Sequence, residues 1–367
     1  MQTNRKDNSF VVVCATFLAI LALLCCMRVI FAFIRLDSRL TETLWSIMTQ
    51  IVIMFLLPLV VMMIYNSKKS KKQITFAEFT QKNPNSARDI FTLWKFKNLS
   101  WKIVGIAVLL GFLMFMFNIF VANFFNGILA MLGHRGALGG GGGGSGELTT
   151  TSTWWFFGLV LLGAVLPGFC EEVTHRGLLL QGFASRIGIL RAVWLSSVLF
   201  GFMHLSIIQC LFAIVMGYLM ALAVVVTKSI WTAVIIHFMN NGIHIYLSFA
   251  DERNLVGGDF FTQFVNFFNS LGTMYFIVYP LIFWGLYCLI IMVIHFIARH
   301  NFIQKHRNDE NPPRLHRNTG LQAIRYYISY GEKVDRRPLD PLERTLFYGM
   351  FFLGGIMTLF TLVWGFL

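Results

Sequence analysis

The sequence predicts an all-α, polytopic bundle of transmembrane helices, and three observations carry this prediction. Hydrophobic residues make up 56% of the 367 residues and charged residues only 13%, which is more apolar surface than a soluble domain of this length could bury. About nine mostly apolar stretches approach the length of about 20 residues that a membrane span requires. The basic residues behind the net charge of +13 gather in a few loops between those stretches, which favours membrane topology over nucleic-acid binding.

The predicted spans follow the apolar stretches along the chain. They cover residues 9–34, 43–65, 101–132, 153–183, 190–207, 209–227, 230–250, 272–298 and 345–367. The first stretch has Arg28 near its end and no small-residue cleavage site, so we predict a retained span rather than a removed signal peptide. All six cysteines fall inside apolar stretches, where we expect reduced packing residues.

The distribution of Lys and Arg predicts the orientation of the chain in the membrane. With nine spans, the large basic loops 66–102 and 299–344 lie on the same side as the N-terminus. The opposite side has only Arg35, Arg39, Arg135 and Arg253. The positive-inside rule then places the N-terminus in the cytoplasm. We expect a multi-pass protein of the cell membrane, and the compact loops without an organelle signal favour a bacterial source.

Ionisable residues lie inside three of the apolar stretches. Glu171 and Glu172 are adjacent in the fourth, and His204 and His237 lie in the fifth and seventh. Such groups cost on the order of several kcal/mol each in a bilayer, so they indicate a functional site by default. On a helix, the i to i+4 spacing places Glu172 beside Arg176. One carboxylate can then be neutralised while Glu171 stays free to act on water.

The depths of these residues allow them to meet. Glu171, His204 and His237 lie about 12, 14 and 7 residues from the predicted cytoplasmic ends of their spans, which at about 1.5 Å per residue is roughly the inner half of the bilayer. His237 and Asn241 are four residues apart and share a helix face, so both can direct a donor at one substrate atom. Pro167 and Gly168 are expected to interrupt the fourth span and to restart a helix before Glu171.

Three motifs on separate predicted spans resemble the signature of the CPBP family of intramembrane proteases, which includes the CAAX proteases and the bacteriocin-processing Abi proteins. The family signature is Glu-Glu-x-x-x-Arg, then Phe-x-x-x-His, then His-x-x-x-Asn. The matching residues here are Glu171-Glu172…Arg176, Phe200…His204 and His237…Asn241. The resemblance covers about residues 153–250 and implies a conserved core of four helices.

The resemblance implies an intramembrane endopeptidase that hydrolyses a peptide bond with activated water and a preorganised oxyanion site. The resemblance implies that Glu171 and His204 activate the water and that His237 and Asn241 stabilise the oxyanion. It implies that Glu172 and Arg176 support the site. The implied substrate is a membrane-embedded or lipid-modified peptide or protein in the lipid bilayer. No nucleic-acid partner is expected.

The resemblance also divides the chain into four regions. Residues 1–135 are expected to form N-terminal transmembrane helices with a cytoplasmic basic loop, residues 153–250 the catalytic core, and residues 251–367 C-terminal transmembrane helices with a cytoplasmic basic segment. Residues 136–152 contain an uninterrupted glycine run, which is either a natural outer loop or an engineered linker. The loop from Lys68 to Lys97 mixes basic and apolar residues, which suits either an amphipathic element on anionic lipid or a solvated loop.

Several alternatives stay open at the level of sequence. Glu171, His204 and His237 could bind Zn²⁺ with one position left for water, or could act without a metal. Taken alone, the Glu172–Arg176 pair can be a structural salt bridge, and either histidine a core residue bonded to a carbonyl. Cys170 is expected to be an inert buried thiol rather than a nucleophile. The alternative function is a noncatalytic membrane scaffold of the same fold that regulates a sensor kinase or an envelope protein.

Overall fold

A computed structural model describes residues 8–33, 38–70, 99–134, 153–332, 334 and 337–366. Within these ranges all regular secondary structure is helical, which confirms the all-α prediction. Seven of the described helices are long and apolar enough to cross a membrane, and they confirm a polytopic bundle. These are Ser9–Ile30, Thr43–Lys68, Trp101–Met131, Trp154–Ile187, Ile207–Thr227, Gly272–Lys305 and Pro341–Trp364.

The two other predicted spans are also helices, but they fall outside this strongly apolar set. Ile189–Met203 is apolar but only 15 residues long. Ile230–Glu252 has 23 residues, and polar side chains such as His237 and Asn241 lower its hydropathy. The predicted spans therefore correspond to seven strongly apolar helices, one short helix that ends directly before His204, and one helix that carries His237 and Asn241.

The helices are numbered in chain order. Before the core they are α1 (Ser9–Phe33), α2 (Ser38–Ser46), a first π-helix (Ile47–Leu56), α3 (Leu57–Ser70) and α4 (Trp101–Met131). The core comprises α5 (Thr153–Val160), a second π-helix (Leu161–Val165), α6 (Leu166–Glu172), a third π-helix (Val173–Leu179), α7 (Leu180–Ile187), α8 (Ile189–Met203), α9 (Ile207–Thr227) and α10 (Ile230–Glu252). After the core come α11 (Phe260–Ser270), the 3₁₀ turn Gly272–Met274, α12 (Tyr275–Lys305), α13 (Leu321–Ser329) and α14 (Pro341–Trp364).

One large hydrophobic core runs through the bundle and contains buried residues of α1, α4, α8, α9 and α10 among others. The short helices α11 and α13 lie in segments that the sequence predicts as loops. All six cysteines are free thiols, as predicted. Residues 71–98 of the predicted basic loop and the glycine run at 139–146 lie outside the described residues.

The fourth predicted span is a continuous helical run rather than an interrupted one. Pro167 lies in the first turn of α6, where the missing N–H costs little. The widened turns of the second π-helix directly precede it, and π-helical turns are a common way to absorb a local mismatch within a helix. The expected interruption at Pro167 and Gly168 is therefore a change of helical pitch, and the chain continues without a break to Ile187.

The fifth predicted span ends earlier than expected, in a tight turn. Helix α8 stops at Met203, and the backbone N–H of His204 donates to the Gly201 carbonyl at 3.1 Å. Leu205 then adopts a left-handed φ of 49°. Helix α9 begins at Ile207, whose N–H donates to Oγ1 of Thr361 at 3.0 Å. His204 consequently lies at the turn of a helical hairpin rather than within a straight span.

A buried ion pair fastens the end of α7 to the start of α14. Nε and Nη2 of Arg186 donate to the two carboxylate oxygens of Glu343 at 3.2 and 3.0 Å. Arg186 also donates to the carbonyls of Arg337 and Pro338. Glu343 closes a capping box with Asp340 at the N-terminus of α14. The turn at Gly188, which follows directly after α7 and joins it to α8, has a φ of 89° that favours glycine.

We expect Glu343→Ala to lower the free energy of unfolding by about 3–5 kcal/mol, because Arg186 would remain buried without its counter-charge. Unfolding of the full-length protein in detergent micelles, followed by circular dichroism, measures the change. Arg344→Ala is the control, since this neighbouring side chain is exposed; it should change stability by less than about 1 kcal/mol. Equal effects of the two variants would contradict the role of the pair.

Candidate active site

The two adjacent carboxylates on α6 have different surroundings. Glu172 is completely buried. Its Oε1 accepts hydrogen bonds from Nη1 of Arg176 at 2.9 Å and from Nδ1 of His237 at 3.0 Å. The ion pair follows from the i to i+4 spacing, whereas the bond to His237 crosses to α10. Glu172 therefore binds two other predicted site residues, Arg176 and His237, through one carboxylate oxygen.

Arg176 extends the same network to two further helices. Its Nη2 donates to the carbonyl of Gly217 on α9 at 3.1 Å. Its guanidinium carbon lies 4.8 Å from the centroid of the Phe200 ring on α8, within the range of a cation–π interaction. Arg176 has only 2% of its surface exposed. One guanidinium thus fixes the relative positions of the third π-helix, α8 and α9.

Glu171 is the less engaged carboxylate of the two. Its Oε1 accepts a hydrogen bond from Nε2 of Gln50 at 2.9 Å. Its Oε2 is buried and, like Oε2 of Glu172, accepts no hydrogen bond from any described residue. Oε2 of Glu171 lies 4.0 Å from Nε2 of His237. A buried carboxylate oxygen without a donor is costly, and such a group at a polar cluster is typical of a functional site.

His204 faces the cluster with one ring nitrogen already occupied. Its Nδ1 lies 2.8 Å from the Phe200 carbonyl, and because a carbonyl can only accept, Nδ1 carries the proton. In the neutral ring, Nε2 therefore holds a lone pair and can act as a base. The imidazole interacts electrostatically with Glu171 and His237.

The ring of Phe200 is surrounded by the polar groups of the site. Its centroid lies 5.2 Å from the ring of His204, 5.9 Å from that of His237 and 4.9 Å from that of His175. Since Arg176 lies over the same ring, four polar side chains from three helical segments contact one aromatic residue. The apolar ring of Phe200 thus lies between these polar groups and keeps them apart.

Asn241 is oriented by a series of side-chain amides. Its Nδ2 donates to the Gly163 carbonyl at 3.0 Å, and its Oδ1 accepts from Nδ2 of Asn240 at 3.0 Å. Oδ1 of Asn240 in turn accepts from Nδ2 of Asn118 on α4 at 3.0 Å. Because a carboxamide nitrogen has two N–H groups, Asn241 retains a second donor. The series fixes which way the amide faces.

A close approach of two helices brings His237 to the carboxylates. A Cβ on Gly168 would lie 3.2 Å from the backbone nitrogen of Phe238, so only glycine lets α6 and α10 pack at this distance without adjustment.

His175, which shares a helix face with Glu171, donates from Nδ1 to the Glu171 carbonyl at 2.9 Å. It is fully buried and holds the backbone rather than the carboxylate.

Two site contacts were not predicted from the sequence. Gln50, on the first π-helix, contacts Glu171, and Asn118, on α4, contacts Asn240. Both are carboxamides within strongly apolar stretches. The cost of a polar side chain in a span was the signal that could have identified them, as it identified Glu171 and His204.

The arrangement is wider than a zinc site built on the three predicted ligands. Two ligand atoms at about 2.0–2.1 Å from a tetrahedral zinc lie roughly 3.3 Å apart, whereas Glu171 Oε2 and His237 Nε2 are 4.0 Å apart. Among the described residues, no three His, Cys, Asp or Glu side chains form a group that could hold a metal ion. Zinc binding by Glu171, His204 and His237 stays the alternative that the sequence leaves open.

Residues 153–243 match a family model described as "Rce1-like: Type II CAAX prenyl endopeptidase Rce1-like". The match contains all three motifs, from Glu171 to Asn241, and confirms the resemblance stated from the sequence. Gln50 and Asn118 lie outside it. No curated protein and no solved structure matches the chain.

Exchanging each carboxylate for an amide should separate their roles. We expect Glu172→Gln to lower the free energy of unfolding by about 3–5 kcal/mol, because Arg176 and His237 would lose their shared counter-charge. Glu171→Gln should leave stability unchanged or raise it, since Oε2 has no donor to lose. Unfolding of both variants in detergent micelles tests this. Equal losses would show that both carboxylates serve one structural purpose.

Proposed function

We propose, from the match of residues 153–243 to the CAAX endopeptidase model, that the chain is an intramembrane protease of the CPBP type and that it hydrolyses a peptide bond with water activated by Glu171 and His204. The observation that carries the proposal is the buried Glu171 carboxylate, whose Oε1 accepts a hydrogen bond from Gln50 and whose Oε2 accepts none from a described residue. Oε2 of Glu172 also accepts none, but Glu172 is ion-paired with Arg176 through Oε1, so Glu171 is the carboxylate that stays available as a base. A general base needs a free lone pair near its substrate, and Oε2 of Glu171 meets this requirement.

Two bases share the activation of water in this proposal. Oε2 of Glu171 accepts a proton from water as the water oxygen attacks the carbonyl carbon of the scissile bond. Nε2 of His204 accepts the second hydrogen bond of the same water, which the tautomer imposed by the Phe200 carbonyl supports. No covalent nucleophile is needed, and Cys170 takes no part.

His237 and Asn241 stabilise the resulting oxyanion. His237 lies between the carboxylates of Glu171 and Glu172, and one guanidinium, Arg176, balances only one of these two charges. A protonated His237 makes the group neutral, donates from Nδ1 to Glu172, and has Nε2–H available for the oxyanion. The second N–H of Asn241 donates to the same oxygen.

Collapse of the tetrahedral intermediate completes the reaction. The C–N bond breaks, and the proton taken up by Glu171 passes to the leaving nitrogen, so that the products are an amine and a carboxylic acid, which then releases its proton to water. Glu172 and Arg176 do not contact the reacting atoms in this proposal. They hold His237 and Phe200 in place through a buried ion pair.

The proposed substrate is a membrane-associated peptide or protein, and a lipid-modified tail is the case that the family description favours. A bilayer location suits such a substrate, because its lipid can enter from the side of the bundle. The basic loops predict that cleavage occurs in the cytoplasmic half of the membrane. Peptides that accumulate in membranes when Glu171 is replaced would identify the natural precursor.

Glu171→Gln and His204→Ala should each lower the turnover of a quenched-fluorescent farnesylated peptide by about 10²–10⁴-fold, because each removes a base that acts on water. The assay uses the full-length protein in liposomes. The controls Glu310→Gln and His300→Ala change exposed residues of the same types and should retain turnover. Full turnover by either site variant would contradict the proposed mechanism.

The same variants also test the scaffold alternative. A deletion strain complemented equally well by the wild type and by Glu171→Gln would show that the biological role needs no hydrolysis. Complementation by the wild type alone, with both proteins present at equal abundance in the membrane, supports the protease.

Removal of divalent metals tests the alternative in which Glu171, His204 and His237 bind zinc. If Glu171 and His204 activate water directly, turnover of the farnesylated peptide should survive dialysis against a chelator within about twofold, since no step depends on a Lewis acid. Loss of turnover that returns on addition of Zn²⁺, together with a bound stoichiometry near one, would show that the metal is required.

A further inference from the structure

Gln50 touches the proposed general base from a part of the chain outside the family match. It lies on the first π-helix, about 100 residues before the matched segment 153–243. Its Nε2 donates to Oε1 of Glu171 at 2.9 Å. Among the described residues this is the hydrogen bond that the Glu171 carboxylate accepts, since its other oxygen has none.

Contacts on both sides of Gln50–Glu171 hold the first π-helix against α6 and the third π-helix, which follows it directly. Oγ1 of Thr174 donates to the carbonyl of Met54 at 2.5 Å. On the other side, the rings of Phe55 and Phe169 pack with centroids 5.6 Å apart. The backbone hydrogen bonds of a π-helix run from i to i+5, so its side chains and carbonyls point in other directions than those of an α-helix. Such turns frequently occur at functional sites. Gln50 is thus presented to Glu171 by a rigidly docked element.

The chemistry of this contact assigns different tasks to the two carboxylate oxygens. A carboxylate that is held at neither oxygen can rotate, and a base must keep its lone pair aligned with the attacking water. The amide of Gln50 does not titrate, so it donates to Oε1 whether or not Oε2 has taken up a proton. Oε2 then remains the oxygen that exchanges a proton with water.

We propose that Gln50 is a positioning residue of the hydrolytic site, which holds Oε1 of Glu171 so that Oε2 faces the attacking water. The inference rests on the proposed function. It deepens that function by extending the site to an element outside the family core. The competing explanation is that Gln50 merely helps to dock the first π-helix on α6.

Thr174→Val separates these explanations. Valine has nearly the shape of threonine but removes the hydrogen bond to the Met54 carbonyl. That bond holds the first π-helix against the start of the third π-helix, directly after α6, without touching the carboxylate. If docking alone matters, this variant should affect turnover as much as a change of Gln50. If Gln50 positions Glu171, only the Gln50 variants should lower kcat.

The experiment measures kcat and KM for a quenched-fluorescent farnesylated peptide with the full-length protein in liposomes. Gln50→Leu and Gln50→Glu both remove the amide donor but differ in polarity, so a folding defect in one leaves the other informative. Each should lower kcat by about 10- to 100-fold, the effect of losing a hydrogen bond to a charged group. KM should stay within about threefold, because the carboxylate acts mainly in the transition state.

The outcomes distinguish failure of this inference from failure of the proposed function. Thr174→Val should retain kcat within about threefold of the wild type, and Glu171→Gln should be inactive. Unchanged kcat in a folded Gln50 variant, or equal losses in Gln50→Leu and Thr174→Val, would overturn the positioning role while leaving the protease intact. A wild type no more active than Glu171→Gln would overturn both.

Discussion

The polar site depends on the pairing of buried charge by Glu172. A carboxylate without surface exposure inside a membrane bundle is tolerable only where counter-charges satisfy it. Its partners, Arg176 and His237, lie on different helical segments, so the requirement for pairing also fixes their relative position. Arg176 then contacts Gly217 and Phe200, which links two more helices to the same charge. Because Glu172 pairs with Arg176, Glu171 is the carboxylate that has no ion pair with the guanidinium.

Irregular helix geometry places the remaining groups. Three π-helices adjoin the site, and each aims a group that a straight α-helix would direct elsewhere: the first presents Gln50, and the second presents the Gly163 carbonyl to Asn241. The third carries Arg176. Ending α8 at Met203 has a similar effect, since it places His204 in a turn that is closed by a hydrogen bond from Ile207 to Thr361. Non-helical backbone at membrane depth is acceptable where protein surrounds it.

Hydropathy and residue spacing predicted the all-α bundle and the Glu172–Arg176 pair, because both follow from local sequence. The short π-helices could not be predicted, since about one extra residue in a helical turn barely alters the apolar pattern. The end of α8 could not be predicted either, because the apolar residues continue through the turn into α9. The sequence assigned His237 to the oxyanion, to a possible zinc ion or to a backbone carbonyl, but not to Glu172, to which its Nδ1 donates. That contact depends on the close approach of α6 and α10 at Gly168. Asn241 matches its motif, but the amides that orient it come from tertiary packing.

The distribution of these contacts bears on what the four-helix core contains. The proposed reacting groups all lie within residues 153–250, yet amides from outside that range reach the site at two points. Gln50 contacts Glu171, and Asn118 begins the series that orients Asn241. A general base and an oxyanion donor gain their effect from exact placement, because a misplacement of about 1 Å can cost about 10²-fold in rate. In the proposed mechanism the N-terminal helices therefore contribute to the active site and do more than anchor residues 153–250 in lipid.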